Sequence, residues 1–364
     1  MRIMILTNSM NGLYNFRREL IEKLLKEGYE IFIGSPIDDK VEYFNSLGCQ
    51  FFETPINRRG KNPLTDLRLL FKYIRIIKSI NPSVVLTYTI KPNVYGGISC
   101  SLLGVPYIVN ITGLGTAVEN NGLLQKITLF LYKLGLRKSS CVFFQNKENM
   151  NFFIKKNIVV SNYRLIPGSG VNLEHFKVLD YPDDEKIVFL FISRIMKEKG
   201  IDQYLEAARY IKSKYPNTEF HVLGYCEESY IEKLKELERN KVIYYHGMQS
   251  DVRKFHKISH CTIHPTYYPE GMSNVLLESA ACARPVIATN RSGCKEIVNN
   301  GVNGYLVEEK NLQDLIEKIE KFLYLSNEDR KRMGLAGRKK VEQEFDRNIV
   351  IKAYLEEIGK ITGN

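Results

Sequence analysis

Short runs of β-branched and aromatic residues alternate with longer amphipathic stretches along almost the whole chain, and this alternation limits the possible folds more than any other feature. In the first half the strand-like runs are 2–8, 29–34, 49–54, 83–89, 105–111, 140–145 and 163–167, with helical patterns at 15–27, 64–80, 93–103, 122–138 and 147–156. The second half gives strands at 187–193, 219–224, 242–246, 260–265, 285–289 and 304–308, with helices near 200–214, 228–239, 251–257, 273–283 and 311–325. Strand and helix in turn mean βαβ units, parallel sheets, and helices on both faces of each sheet. At 364 residues the chain exceeds a single core. The stretch 168–186, with turn residues, a proline and clustered acids, reads as an interdomain linker. The expected fold is therefore α/β: two doubly wound αβα domains facing a central cleft, residues 1–170 and 171–345. A terminal helix over 346–364 is placed where it could cross back onto the first domain, a choice the sequence leaves open. Ligands of such sheets bind at the carboxyl ends of the strands, so functional residues belong on the loops that follow strands.

Composition excludes several classes. With 44% apolar and 26% charged residues the chain can fill two cores and is not generally disordered. No apolar run approaches the roughly 18–20 residues of a membrane span, and MRIMILTNSM reads as a strand rather than a signal peptide. The seven cysteines form no C-x-x-C pair and look like small buried residues in a reducing cytosol. Charge is uneven: residues 1–170 carry 22 Lys and Arg against 11 Asp and Glu, whereas residues 171–364 carry 30 of each. The first half is thus expected to face an anionic partner, whether nucleic acid, a phospholipid surface or a phosphorylated substrate.

Within YPEGMSNVLLE (268–278) two glutamates flank an apparent helix start that follows the strand 260–265. Ser273 is a good N-cap residue, and a helix start presents unpaired N–H groups and a positive dipole end to a phosphate. Glu278 lies about 7.5 Å further along the axis than Ser273, roughly the span from a diphosphate to its ribose, whose hydroxyls a carboxylate can accept. Glu270, before the start, would point at whatever the diphosphate carries. Cations must balance these acids. Arg194 and Lys199, in ISRIMKEKG (192–200), follow the strand 187–193 and suit a pyrophosphate whose leaving-group charge needs stabilising.

S-R-x-x-x-x-K-G followed some seventy residues later by P-E-G-x-x-x-x-x-x-E resembles the retaining glycosyltransferase family 4, and GCKEIVNNGVNGYLVE (293–308) is similar to that family's next segment. The resemblance implies the GT-B fold, with two Rossmann-like domains. It implies Glu270 at the donor sugar, Arg194 and Lys199 on the diphosphate, and Glu278 on the ribose. Gly271, Met272 and the backbone of Ser273, Asn274, Val275 and Leu276 would then cradle the nucleotide sugar. It also implies retention of anomeric configuration by same-face attack, the leaving phosphate helping to deprotonate the acceptor. In the first half, TNSMNGLYNF (7–16) corresponds to a Gly-containing loop, which puts Gly12 at the donor and Asn11 at the acceptor. TYTIKPNVYGG (87–97) and NITGLGTA (110–117) are similar to stretches of the subgroup that builds capsular, O-antigen or N-linked glycans on a polyprenyl diphosphate. There Lys91, Thr112 and Gly113 would meet the acceptor. Thr112–Gly113 stands where many members have His-Gly, so the identity of the donor sugar stays open.

Three other signals are weighed and set aside. GLGTAV lacks the third glycine and the later acid of a dinucleotide site. His256, His260 and His264 are spaced by four, but the strand 260–265 breaks their common face. No D-x-D motif appears, so no metal or other cofactor is expected, the helix dipole, Arg194 and Lys199 taking its place. Two basic amphipathic segments, 58–78 and 123–138, are either solvated sheet-covering helices or a surface for an anionic membrane. Nucleic acid fits worse, since no recognised binding module is present. The expected protein is a cytoplasmic glycosyltransferase, peripheral on the inner face of the cell membrane, moving a hexose or N-acetylhexosamine from a UDP-sugar to a lipid-linked saccharide. Two other readings of the same fold remain at this stage. A UDP-sugar 2-epimerase would need no acceptor, and a non-catalytic nucleotide-sugar-binding protein would show no turnover.

Overall fold

The computed structural model describes residues 1–56, 62–115, 118, 122–159, 161–226 and 228–363. All thirteen strands are present, in two sheets whose pairings are parallel throughout. The first sheet contains β1 (Arg2–Leu6), β2 (Glu30–Ser35), β3 (Gln50–Glu53), β4 (Val84–Tyr88), β5 (Tyr107–Ile111), β6 (Cys141–Phe144) and β7 (Tyr163–Leu165), in the order β3-β2-β1-β4-β5-β6-β7. The second contains β8 (Ile187–Ile192), β9 (Thr218–Leu223), β10 (Tyr244–Tyr245), β11 (Cys261–His264), β12 (Val286–Thr289) and β13 (Gly304–Val307), in the order β10-β9-β8-β11-β12-β13. The central strands β4, β5, β8 and β11 are buried at every residue, as a parallel sheet covered on both faces requires. Each sheet reverses its order once, between β1 and β4 and between β8 and β11, and these are the two topological switch points.

Contacts divide the chain into Met1–Ser169 with Asn348–Asn364, and Gly170–Arg347. The terminal helix Arg347–Thr362 buries Val350, Ala353, Tyr354 and Ile358 in the first unit's core, and the amide of Asn110 donates to the Tyr354 hydroxyl at 2.7 Å. The stretch 168–186 is not a free linker. Val171 and Phe176 belong to the second unit's core, and the fully buried Arg284 donates to the carbonyls of Leu179 and Asp180 and stacks over Tyr181 at 5.3 Å.

Helix boundaries depart from the sequence reading where capping decides them. The first helix runs Met10–Lys26, five residues earlier than periodicity indicates, because the Ser9 hydroxyl caps it by accepting from Gly12 N–H at 3.0 Å. The stretch 93–103 splits into a π-helical turn, Pro92–Gly96, and a helix, Gly97–Leu103. Two helices, Val41–Ser46 and Asn327–Glu344, were not expected. The second is strongly polar, and its Gly334 is there for packing: a Cβ at that position would collide with Ala283 O, beside the helix Asn274–Ala281.

Candidate functional site

The second switch point gathers three loops by backbone contact. Gly200 (φ +76°) sits so close to the Pro265 carbonyl that any Cβ would collide, and Gly224 (φ +139°) meets the Ser193 carbonyl in the same way. Tyr267 N–H donates to Glu198 O at 2.9 Å, tying the loop after β11 to the loop after β8. These contacts place Lys199 against Glu270, and the buried Lys199 and half-buried Glu270 form an ion pair through Lys199 Nζ and Glu270 Oε1. Tyr268 lies between the cations: Lys199 Nζ is 4.8 Å and Arg194 Cζ 5.6 Å from its ring centroid. Lys199 is buried and Arg194 exposed, so the two residues read alike from sequence occupy different surroundings.

The carboxylate is held from behind by the segment after β12. Gly293 (φ +90°) packs where a Cβ would stand 2.8 Å from Glu270 Cβ and 3.1 Å from Gly271 O. Glu296 fixes that turn by accepting from Gly293 N–H at 2.8 Å and from the Ser292 hydroxyl at 3.1 Å. Beneath lies His264, at the end of β11, fully buried with neither ring nitrogen hydrogen-bonded. Burial, and then the nearby Lys199 ammonium, push its pKa down to about 4, so the imidazole is neutral at physiological pH.

The helix after Glu270 runs Asn274–Ala281. Ser273 occupies its N-cap position but makes no side-chain cap, and its N–H is taken by Gly293 O at 2.7 Å. The expectation that Ser273 N–H would meet a phosphate is corrected: the first helical bond is Leu277 N–H to Ser273 O, so the N–H groups that precede it belong to Asn274, Val275 and Leu276. Met272 and Leu276 send their side chains into the core, leaving only their backbones for a ligand. Gly271 is buried, and Asn274 and Val275 are half-buried. Burial raises the Glu278 pKa to about 7, against the opposing pull of Arg347. A ligand that donates hydrogen bonds to the carboxylate would lower it again.

The residues proposed in the first half have partners of their own. Asn11 lies in the first helical turn rather than a loop, its N–H donating to Asp38 and its amide to Asp39 at 3.0 and 2.7 Å. Gly12 donates to the Ser9 cap. Lys91 pairs with Asp66 at 2.6 Å, and Tyr95 OH donates to the other oxygen of that carboxylate at 3.0 Å, so the Lys91 charge is balanced within the fold. Thr112 and Gly113 follow β5 half-buried, while Thr116 and Ala117 of the same stretch lie outside the described residues. At this switch point Thr89 takes φ +72°, a strained value for a β-branched residue, three residues before the π-helical turn begins at Pro92.

His256, His260 and His264 do not converge. His256 is buried in the helix Arg253–Ile258, while His260 accepts from Val188 N–H at 3.1 Å and contacts Asp183 O at 2.7 Å. Sequence reasoning missed Tyr268, Gly293 and Glu296, and weighed His264 only as a metal ligand. The adjacent tyrosines of TYYPEG and the glycine of GCKEI were the available signals, but both acquire meaning only through contacts distant in sequence.

Comparison with known proteins places this geometry in context. Residues 173–340 match the family described as Glycosyl transferases group 1, and residues 2–146 match Glycosyl transferase 4-like. The chain is 26% identical, over all of both chains, to the N,N'-diacetylbacillosaminyl-diphospho-undecaprenol alpha-1,3-N-acetylgalactosaminyltransferase of Campylobacter jejuni. It is 24% identical to the UDP-Gal:alpha-D-GlcNAc-diphosphoundecaprenol alpha-1,3-galactosyltransferase of Escherichia coli, over 85% of this chain and 84% of that one. Among solved structures, Anabaena Alr3699/HepE in complex with UDP and glucose superposes with a TM-score of 0.80 at 17% identity, over 99% of this chain and all of the other.

Proposed function

We propose that this chain, a glycosyltransferase with the GT-B fold, moves a hexose or N-acetylhexosamine from a UDP-sugar to a saccharide carried on a polyprenyl diphosphate, with retention of anomeric configuration. The observation that carries the reading is the Lys199–Glu270 pair set before the start of the helix Asn274–Ala281 at the β8/β11 switch point. The acceptor class is supported by two relatives named for undecaprenyl-diphosphate-linked substrates, and the nucleotide by one of them, named for UDP-Gal.

In this reading the N–H groups of Asn274, Val275 and Leu276 meet the diphosphate, and Arg194 and Lys199 add positive charge. Glu278 accepts the ribose hydroxyls. Glu270 faces the sugar and holds Lys199 toward the leaving oxygen. As the bond from the anomeric carbon to the β-phosphate oxygen breaks, negative charge grows on the phosphate. The acceptor hydroxyl attacks from the same face, and its proton passes to that phosphate oxygen, which conserves atoms and charge. Helix start and cations supply what a divalent ion would otherwise supply, so no metal is required. The enzyme works at the inner face of the cell membrane, where such an acceptor resides.

The test is a panel of UDP-, GDP- and ADP-sugars incubated with a polyprenyl-diphosphate-linked saccharide in chelator, with products resolved by chromatography. A UDP-sugar is expected to be consumed only when acceptor is present, giving an α-linked product from an α-linked donor. Acceptor-independent conversion of the nucleotide sugar would mean an epimerase, and tight binding without turnover a sensor; either result overturns the proposal.

A further inference from the structure

Two helices of the first unit are apolar on the side that faces away from the protein. In Leu123–Leu136 the face turned to the sheet is Thr128, Tyr132, Gly135 and Leu136. At about 100° per residue the opposite face is Leu123, Ile127, Phe130 and Leu134, which are 74%, 47%, 60% and 40% exposed. Leu124 is exposed beside them. Lys126, Lys133, Arg137 and Lys138 flank this stripe, all exposed, and residues 123–138 contain no acid. The helix Pro63–Ile80 repeats the arrangement. It buries Leu69, Tyr73, Ile76, Ile77 and Ile80, and on the opposite side exposes Leu64, Leu67 and Phe71 with Arg68, Arg75 and Lys78. Its one acid, Asp66, is turned to Lys91 and Tyr95. Both helices lie over the same core cluster, so their outer faces look to the same side of the first sheet. Arg58, Arg59 and Lys61 of the basic segment lie outside the described residues.

We infer that these two outer faces form a docking surface for an anionic phospholipid bilayer, seating the first unit in the interfacial region with its apolar side chains among the acyl chains and its cations at the headgroups. Leu123–Leu136 is about 21 Å long, short of the roughly 30 Å hydrocarbon layer, so it lies on the membrane rather than across it. Charge decides the occupant. A second copy placed by two-fold symmetry would set each cationic flank against its own image. A polynucleotide would meet the cations but leave Leu123, Ile127, Phe130 and Leu134 without apolar partners. An anionic bilayer satisfies both sets. The inference takes its purpose from the lipid-linked acceptor, but its geometry is independent of that reading.

The experiment is co-sedimentation of the full chain with vesicles of phosphatidylglycerol and phosphatidylcholine, or of phosphatidylcholine alone, without substrate. Binding is expected only to the anionic vesicles and is expected to fall as salt rises from about 50 to about 300 mM. The variant K126Q/K133Q should bind about twenty-five-fold more weakly, and I127S/F130S at least about tenfold more weakly. Circular dichroism and melting temperature report whether each variant is folded, and a short-chain, detergent-soluble acceptor reports turnover away from vesicles. Folded variants should keep turnover on the short-chain acceptor while losing it on the vesicle-borne one. Wild-type binding by both variants, or equal binding to neutral vesicles, overturns the surface. So does a dimer that these substitutions dissociate, or a polynucleotide affinity that they abolish while vesicle binding stays unchanged. If wild type binds vesicles yet transfers to neither acceptor, the surface stands and the acceptor reading falls.

Discussion

The two sheets share one strand order over six strands, β7 being extra in the first, yet they use their switch points and their outer helices differently. In the second unit the loops after β8 and β11 are locked by the close approaches at Gly200 and Gly224, and they end in the Lys199–Glu270 pair. The first unit's switch point instead carries a strained Thr89 and a π-helical turn, with Lys91 balanced by Asp66. The outer helices diverge as well. Leu312–Leu323 buries Leu315, Ile316, Ile319 and Phe322 and presents Gln313, Glu317 and Lys321 outward, whereas Leu123–Leu136 presents leucines and a phenylalanine. Covering a parallel sheet therefore does not require an apolar outer face. The difference means that the second unit invests in a rigid polar centre and the first in a surface.

The sharpest break of that comparison is at Lys199. Lys199→Ala would remove the ion pair to Glu270 and take positive charge from the leaving phosphate, and turnover is expected to fall about 10²–10³-fold. Arg194→Ala, at an exposed cation over the same Tyr268 ring, should cost only about three- to tenfold. Steady-state kinetics on both variants decides it, and equal losses would mean that burial does not separate the two cations.

A smaller effect comes from two glycines of nearly the same φ in the two units. Gly293 has φ +90° with Glu270 Cβ 2.8 Å from any added Cβ, while Gly48 has φ +92° and nothing within 4 Å. Each alanine variant should lose about 1 kcal/mol of stability from the left-handed backbone. Gly293→Ala should also displace Glu270 and lower kcat about 10–100-fold, whereas Gly48→Ala leaves kcat unchanged. Denaturant melts together with kcat separate strain from positioning. Equal kcat losses in the two variants would show that the Gly293 contact does not position the carboxylate.

These contrasts mark where sequence stops being legible. The central strands could be read because parallel strands covered on both faces are continuous apolar runs, and the edge strands β3, β7 and β10, partly exposed, by their aromatic and β-branched residues. The helix Asn327–Glu344 could not, because Gly334 weakens its pattern locally and is explained only by Ala283 O. At the site, the spacing of Glu270 and Glu278 and the positions of Arg194 and Lys199 after strands were visible. The pairing of Lys199 with Glu270 was not, since it spans 71 residues and depends on the approach at Gly200. Nor was the use of Ser273 N–H by Gly293 O, which moves the free helix start one residue further on.

The smallest and most selective effect concerns Glu278, half-buried at the candidate site, whereas Glu317 of the outer helix Leu312–Leu323 is exposed. Its pKa is raised from 4.5 to about 7 in the folded chain, so its ionisation opposes folding. The stability linked to its protonated form is complete below about pH 4.5 and is lost as pH rises through about 7. Glu278→Gln should therefore raise the melting temperature of the ligand-free protein at pH 8, on the order of a few degrees, and leave it unchanged at pH 4.5. Nucleotide binding should move the other way. If ribose hydroxyls donate to the ionised carboxylate, UDP affinity of the wild type should strengthen from pH 6 to pH 8 by up to about tenfold, with release of close to one proton on binding at pH 6. In Glu278→Gln the affinity should be weaker at pH 8 and flat across the range. Calorimetry in two buffers of different ionisation enthalpy measures the proton directly. A stabilised variant that binds UDP as tightly as wild type at pH 8 would place Glu278 in the scaffold and take the ribose contact away from it.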